Sequence, residues 1–251
     1  WLLVSGGADD AQITTYLILL SLAGGLWLVA AITYGLIREY SGATEGGGNA
    51  ATSAARSLNL LRTDPPFRQF VIARSLLLCS ALSAPFFILL ARENTDGALL
   101  VLGLFVLADG LASLVSAPFW GRFADRSSRQ VMIIAGAAAA ASGIGLVAIT
   151  YLSEQLAASQ WLYPLFFFLL MIAHSGVRLG RKTYIVDLAG GNKRTEYVAV
   201  SNTLIGLILL IAGSVGLLSE IVPLSVVILI LAVMGLAGSF MSSRLPEISD
   251  D

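Results

Sequence analysis

The sequence GRFADRSSRQ, residues 121–130, is a short charged loop between two long apolar segments. A charged loop of this length that joins two helices of membrane length must lie at a membrane surface. Its three arginines indicate which surface, because short loops rich in Lys and Arg stay on the cytoplasmic side. This one loop therefore predicts both the class and the orientation of the chain.

The composition excludes an ordinary soluble domain. Hydrophobic residues make up 57% of the 251 residues and charged residues 12%, whereas soluble chains carry about 25% charged residues. The net charge of −1 provides no basic surface, so we expect no nucleic-acid partner. A single cysteine and a single histidine are too few for a disulfide framework or a zinc site, and we expect neither a metal nor a cofactor.

Seven apolar segments have the length of a membrane-spanning helix, for which about 20 residues are needed. They are continuously apolar rather than alternating, which excludes the strands of a membrane β-barrel. The sequence therefore predicts an all-α polytopic membrane protein of about seven transmembrane helices. The segments are 12–37, 67–91, 98–119, 130–152, 161–182, 197–218 and 222–242.

The basic residues are distributed asymmetrically about these segments. If the segments alternate in direction, thirteen of the fifteen Lys and Arg residues fall on one side, Arg92 is on the other, and Arg74 lies inside a segment. This asymmetry predicts that the N-terminus is outside and that the tail 244–251 is cytoplasmic. We expect the membrane to be a bacterial inner membrane. The thirteen are Arg38, Arg56, Arg62, Arg68, Arg122, Arg126, Arg129, Arg178, Arg181, Lys182, Lys193, Arg194 and Arg244.

The connection 38–66 is much longer than the other loops and divides the chain. Its middle (EGGGN) has the composition of a flexible linker. Residues 51–61 predict a short helix that we expect to lie at the cytoplasmic interface and to end at Asp64-Pro65-Pro66. One helix, in residues 1–37, therefore precedes the linker, and a bundle of six, in residues 67–243, follows it.

Six helices after a long cytoplasmic linker, with a Gly-x-x-x-Asp-Arg-x-x-Arg loop between the second and third, resemble the C-terminal half of a major facilitator superfamily transporter. In that family the signature loop follows the second helix of a half on the cytoplasmic side. Its positions are occupied here by Gly121, Asp125, Arg126 and Arg129. Ser128 replaces the usual second glycine, and Gln130 replaces a usual basic residue.

The resemblance implies that residues 67–243 form one six-helix transporter bundle. It also implies that residues 12–37 form the last helix of a first bundle that is missing here. The chain begins at Trp1, without Met or a basic leader, and we expect it to be a fragment. The implied partners are the missing bundle, the lipid bilayer, a small-molecule solute and, as a hypothesis, protons.

The signature loop has a physical interpretation of its own. Gly121 allows a helix end to bend sharply near the membrane surface. Asp125 can accept from N–H groups at the N-terminus of a neighbouring helix, where the macrodipole favours an anion. Arg126 and Arg129 can bind acidic groups across a bundle seam or lipid phosphates. We predict a conformational latch; the alternative is that the arginines only set the topology.

Asp109 lies about 11 residues into its segment, near the middle of the membrane. The positions one turn away hold Phe105 and Ser113, so no cation on the same helix neutralises it. It must therefore meet another helix, a water-filled cavity or a proton. Two interpretations stay open: Asp109 carries a proton, or it is the structural partner of Arg74 or another basic group.

His174, Arg178 and Arg181 follow one another on one helical face. A face this polar cannot point to lipid, and we expect it to line a central cavity. His174 is a candidate for the solute or proton pathway, although a lone histidine is more often packed in a core. Arg178 is a candidate anion-binding group, or else it anchors the helix end.

The segment 67–91 contains three further candidates for the solute or proton pathway. Arg74 lies about two turns from its cytoplasmic end, and Ser80 and Ser83 lie near its middle. The serines either bind solute or form interhelical hydrogen bonds. Pro85 is expected to free a backbone carbonyl and to kink the helix.

The polar stretch 181–194 predicts a cluster of salt bridges at a cytoplasmic gate. Ser201 and Asn202, near the cytoplasmic end of the next segment, are predicted to pair with Asp187 or with the signature loop. No phosphate-binding Gly-x-x-x-x-Gly-Lys-Ser/Thr motif is present, so nothing supports an ATP-driven pump.

The leading hypothesis is part of a secondary active transporter that moves a small polar or anionic solute by alternating access, with proton coupling as a further hypothesis. An enzyme is not expected, because one histidine and one deep aspartate make a poor catalytic set. The alternative is a non-transporting membrane protein such as a seven-helix receptor. The helix count fits that alternative, but the linker 38–66 breaks the even loop pattern of such bundles.

Overall fold

The regular structure of the chain is entirely helical wherever it is described, as the sequence predicted. The chain divides into two compact units, residues 1–49 and 50–251, and the boundary falls inside the long predicted linker. The computed structural model describes residues 10–36, 59–95, 98–190 and 193–248.

In the first unit the structure describes residues 10–36, and these form one helix, α1, from Asp10 to Gly35. Its bounds agree with the predicted segment 12–37 to within two residues. The helix is therefore confirmed, whereas its crossing of a membrane stays a prediction.

The second unit contains six spans that are long and apolar enough to cross a membrane. They correspond to the six segments predicted after the linker, although several helix ends differ. The helices are α2 (Pro65–Leu76), α3 (Cys79–Asn94), α4 (Ala98–Ala124), α5 (Ser128–Leu152), α6 (Glu154–Ala157), α7 (Leu162–Leu188), α8 (Arg194–Ala212), α9 (Val215–Leu218) and α10 (Leu224–Ser243).

Two side chains determine where helices begin at one end of this bundle. The Asp64 carboxylate accepts from the Phe67 N–H at 3.0 Å and caps α2. The Ser127 hydroxyl accepts from the Gln130 N–H at 3.1 Å and caps α5. Residues 59–63 are helical and stop at Asp64, as predicted for the short helix; its earlier part, 51–58, lies outside the described residues.

The first span is interrupted between α2 and α3, at Leu77 and Leu78. The interruption was not predicted; Pro85, where a kink is expected, lies inside α3, which continues to Asn94. Serine hydroxyls that bond back to their own helix bend it. Two such bonds flank the interruption: Ser75 donates to the Val71 carbonyl at 2.7 Å, and Ser80 donates to the Leu77 carbonyl at 3.0 Å.

The bundle is organised around α5 and α7. Helix α5 packs against α7 and α10, and α4 also packs against α7. The approach is close: a Cβ added to Gly176 would lie 2.6 Å from the Trp120 ring, and one added to Gly136 would lie 2.6 Å from Leu77 Cδ2. Small residues at such crossings let helix backbones approach each other in a membrane, where packing rather than water drives association.

The charges of the bundle separate toward its two ends. At one end, which we call the basic end, lie Arg62, Arg68, Arg122, Arg126, Arg129, Lys182, Lys193, Arg194 and Arg244. At the opposite end Arg92 is accompanied by Glu93, Glu154 and Glu220. Side-chain contacts between Asp64 and Tyr197 and between Ser127 and Glu247 show that separate connections meet at the basic end.

Candidate solute site and signature loop

The polar face of α7 carries the centre of the candidate site. The helix continues to Leu188, six residues beyond the predicted end, so His174, Arg178 and Arg181 lie on one continuous helix. His174 and Arg181 are half-buried, whereas Arg178 is exposed. The predicted polar face is therefore present, and its residues differ in how far the bundle covers them.

His174 is held by a serine from the first span. Ser80 Oγ lies 3.1 Å from His174 Nδ1, and Ser80 is only 1% exposed. The same hydroxyl donates to the Leu77 carbonyl. Because a hydroxyl has one proton, Ser80 then accepts from Nδ1–H of His174, which fixes the ring and leaves Nε2 as the second nitrogen. The sequence indicated both residues but not that they are partners.

Ser83 differs from Ser80 although both were candidates. Its side chain is buried, and its hydroxyl donates to the Cys79 carbonyl of its own helix at 2.8 Å. Neither a solute nor a second helix receives this hydrogen bond. The structure therefore brings Ser80, but not Ser83, to the candidate site.

Arg74 connects the first span to α8. Its Nη1 donates to Ser201 Oγ at 2.6 Å, and its Nη2 donates to Asn202 Oδ1 at 2.8 Å. The predicted pairing of Ser201 and Asn202 with Asp187 or the signature loop is therefore wrong. Ser201 and Asn202 reach Arg74 because the three residues lie at the same level of the bundle. Arg74 is two turns inside its span, level with the second turn of α8.

Asp109 is exposed on α4, and its carboxylate acts electrostatically on His174 together with Arg178 and Arg181. The guanidinium of Arg74 binds Ser201 and Asn202, so both interpretations of Asp109, as a proton carrier and as the structural partner of a basic group, stay predictions. Asp109 thus belongs to the same electrostatic cluster as the polar face of α7.

We call the set formed by Arg74, Arg178, Arg181, His174 and Asp109 the arginine site. Electrostatic repulsion links Arg74 to Arg181 and Arg181 to Arg178. Within the described parts of the chain, none of its three arginines is in an ion pair. The Nε atoms of Arg74 and Arg181 are buried without a described hydrogen-bond partner. The site therefore presents unpaired cationic donors inside a membrane-length bundle.

The signature loop departs from its predicted geometry at Gly121. Helix α4 was expected to end at residue 119 and to bend there, but it continues through Gly121 to Ala124. A Cβ added to Gly121 would meet nothing within 4 Å. The absence of a side chain is thus not needed for helix geometry or for packing within the described bundle.

Arg129 binds the segment that follows α10. Its Nη1 donates to the Leu245 carbonyl at 3.0 Å, and its Nη2 lies 2.5 Å from Glu247 Oε2. Ser127 also donates to Glu247. Sequence reasoning treated this segment only as a tail, because nothing local to Glu247 indicates a partner more than a hundred residues away.

Further contacts fasten the same segment and the loop to α7. The Tyr184 hydroxyl donates to the Pro246 carbonyl at 3.0 Å, Ser128 donates to Asp187 at 3.3 Å, and Leu245 is 1% exposed. Asp125 and Arg126 are exposed, and no described residue forms a hydrogen bond or an ion pair with their side chains. The loop is thus divided between residues fixed within the bundle and residues that point away from it.

A cavity of about 370 Å³ lies at the opposite end of the bundle and was not predicted. Its lining includes Glu93, Asn94, Tyr151, Ser219 and Ser225, and the Tyr151 hydroxyl lies 3.0 Å from Ser225 Oγ. None of the predicted site residues lines it. It is therefore separate from the arginine site.

Comparison with protein families gives a match for this chain. No curated protein matches the chain. Within the described residues no group of His, Cys, Asp and Glu side chains could hold a metal ion. The sequence profile of the Major Facilitator Superfamily matches residues 75–248, which cover most of the six-span bundle and the segment bound by Arg129. The chain therefore belongs to the Major Facilitator Superfamily of membrane transporters.

Proposed function

We propose that the chain supplies one six-helix half of a secondary active transporter, which moves a small polar or anionic solute by alternating access. The observation that carries this proposal is the arginine site, in which three guanidinium groups lack an ion-pair partner among the described residues. Charged groups at membrane depth are costly unless a partner or water compensates them. A solute that enters from water is such a partner.

The exposure of two spans supports the presence of a second bundle. In the most apolar stretch of the Arg194–Leu218 span 17% of the residues are buried, and in Val101–Ala124 28%, against 50% in Ser128–Leu152. We infer that the other six-helix half of the transporter covers these two spans and closes the site. Rocking of the two bundles then opens the site to each side in turn.

This proposal is tested by comparing two proteins in vesicles. The full-length protein, with both bundles, should accumulate a solute when a panel of radiolabelled compounds is screened. Vesicles that contain only residues 1–251 should accumulate none of them, because half of the cavity is absent. Uptake by residues 1–251 alone would contradict the need for two bundles, and failure of the full-length protein across the panel would contradict the transport function.

Proton coupling is proposed to use His174 and Asp109. The Ser80 contact occupies His174 Nδ1, so Nε2 is left to accept a proton, and the Asp109 carboxylate acts on the same ring. Uptake by the full-length protein should therefore depend on pH, and an uptake rate that does not change with pH would rule out coupling through His174.

The exposed part of the signature loop is proposed to act as the latch toward the second bundle. Asp125 and Arg126 form no described contact within their own bundle, so their side chains are available to an acidic group or a helix N-terminus of the other half. Asp125→Asn should leave expression and thermal stability intact but abolish uptake. Normal uptake by this variant would reject the latch.

The basic end is proposed to face the cytoplasm of a bacterial inner membrane, with the start of the chain outside. Single cysteines at Arg126, Arg194 and Glu154 test this assignment, because the native Cys79 is only 2% exposed. A membrane-impermeant maleimide should label Glu154→Cys in intact cells but Arg126→Cys and Arg194→Cys only after permeabilisation. Labelling of Arg126→Cys and Arg194→Cys from different sides would contradict the topology.

A further inference from the structure

We propose that the arginine site takes a solute with two negative charges, a small divalent oxyanion such as a dicarboxylate or a phosphate monoester. This inference rests on the proposed transport function and adds the chemical class of the solute. It rests on three properties of the arginine site: its net charge, the guanidinium N–H donors that have no described partner, and the fixed positions of its side chains.

The charges of the arginine site do not balance. Arg181, Arg178 and Asp109 act electrostatically on His174, and Arg181 acts on Arg74. With a neutral His174 the arginine site therefore carries three positive charges and one negative charge. The ion pair between Arg129 and Glu247 lies at the basic end and compensates none of them. A solute with two negative charges brings the sum of the site to zero, whereas a monovalent anion leaves one cation without compensation in a medium where that is costly.

The unpaired donors are those that an oxyanion needs. Arg74 uses one Nη donor on Ser201 and one on Asn202, and its buried Nε has no described partner. Arg181 has a buried Nε in the same condition. Guanidinium groups present N–H donors in a planar fork that matches carboxylate and phosphate oxygens. Two separate forks, from the first span and from α7, favour a solute with several oxygens over one with a single acceptor.

The geometry of the site is fixed before a solute arrives. Ser201 is fully buried, and with Asn202 it holds the guanidinium of Arg74 in one position. Ser80 holds the ring of His174. Arg178 and Arg181 lie about 4.5 Å apart along the axis of α7 on adjacent positions of one face. A small solute with its acidic groups a few bonds apart fits this spacing, so we expect size as well as charge to limit the choice.

The test measures thermal stabilisation of the full-length protein in detergent at a constant ionic strength of about 0.15 M, where long-range screening is the same for every ligand. The probes are succinate and inorganic phosphate, compared with acetate and glycerol. A ligand that binds the folded state raises the unfolding midpoint in a saturable manner. We expect succinate or phosphate to saturate at a concentration at least about tenfold lower than acetate, and glycerol to have no saturable effect.

Succinate and phosphate also distinguish between the two classes of divalent solute. A larger shift with succinate assigns dicarboxylates, and a larger shift with phosphate assigns phosphate monoesters. Equal half-saturation for acetate and for both divalent probes would overturn the inference, as would a saturable response to glycerol alone.

Variants separate site binding from general salt stabilisation. Arg181→Gln should abolish the saturable shift, and Arg181→Lys, which keeps the charge but loses the fork, should weaken it by about tenfold. Arg92→Gln, at the opposite end, should keep the full shift. A response that survives in Arg181→Gln would overturn the inference. If Arg181→Gln does not fold, Arg181→Lys alone decides, and an unaltered half-saturation in that variant overturns the inference too.

Failure of this inference and failure of the transport proposal give different results. Accumulation of a neutral solute in vesicles, without competition by succinate or phosphate, would keep the transport function and reject the divalent anion. Saturable binding of succinate or phosphate without any accumulation would keep the site and reject transport.

Discussion

Arg129 and Arg181 carry the same side chain, but their surroundings are opposite. Arg129, at the basic end, is neutralised by Glu247 and also binds the Leu245 carbonyl. Arg181, on α7, meets the repulsion of Arg178 and is in no described ion pair, although the Nε atoms of both arginines are buried without a described hydrogen-bond partner. Arg129 is thus compensated by a carboxylate of its own bundle, whereas Arg181 is not.

Charges that stabilise this bundle and charges that serve its function differ in where their partner comes from. A charge needed only for stability is expected where its partner comes from the same chain, as for Arg129. A charge that destabilises the isolated bundle is retained only if something else uses it, because an unpaired ion at membrane depth opposes folding. The following changes test that distinction.

The largest effect is expected from Arg181→Gln. Removing a buried, charged donor to a bound solute costs about 2–5 kcal/mol of interaction, so transport efficiency (kcat/KM) should fall by roughly a hundredfold. The unfolding midpoint should stay constant or rise, because the substitution removes an unpaired charge. Radiolabelled uptake and a thermal melt of the same preparation measure both quantities. A large loss of stability with normal uptake would make Arg181 a structural residue like Arg129.

A smaller effect on transport is expected from Ser80→Ala. The change removes the hydrogen bond that orients His174, worth about 1 kcal/mol, so uptake should fall by roughly fivefold. Ser83→Ala is the matched control, since its hydroxyl bonds only to its own helix, and it should leave uptake unchanged. Equal losses in both variants would mean that the His174 contact has no particular importance.

The Arg129–Glu247 pair should affect stability rather than transport. Both side chains are partly exposed, 27% and 39%, so their coupling should be only about 1 kcal/mol. A double-mutant cycle of Arg129→Gln and Glu247→Gln, read by thermal melts, gives the coupling directly. If both single variants and the double variant lose the same stability, the pair acts as described; additive losses would show that the two side chains act independently.

The smallest effect is expected from Gly121→Ala. The position is helical and open, so the added methyl group meets no described atom, and alanine favours a helix over glycine by up to about 1 kcal/mol. The thermal midpoint should therefore stay constant or rise slightly. Gly176→Ala provides the contrast, because its Cβ would lie 2.6 Å from Trp120 and should cost about 1–3 kcal/mol of stability.

The spans could be predicted from the sequence because a backbone in lipid must satisfy its own hydrogen bonds, which makes each apolar segment a helix. Helix ends could not be predicted as well. Helices α4 and α7 continue to Ala124 and Leu188, past their apolar segments, since hydropathy reports the thickness of the bilayer rather than the end of a helix. The interruption at Leu77 and Leu78 left no signal, because leucine favours an unbroken helix.

The residues of the site could be predicted better than their partners. Ionisable residues within apolar segments stand out in any sequence, so Asp109, His174 and Arg181 became candidates by type and depth, and their role in a solute pathway stays a prediction. Partners such as Ser201 for Arg74 or Glu247 for Arg129 depend on which helices become neighbours. Serine and glutamate are also common residues, so their positions alone carry no information about distant contacts.

The position of Glu247 in the chain has a consequence for synthesis. Glu247 follows the last helix, so a ribosome translates it after every span of the bundle. During insertion Arg129 is therefore synthesised before Glu247. The ion pair between them can form only after the sixth span has been inserted. A bundle that lacks its sixth span also lacks this ion pair, so the Arg129–Glu247 pair is present only when all six spans have been inserted.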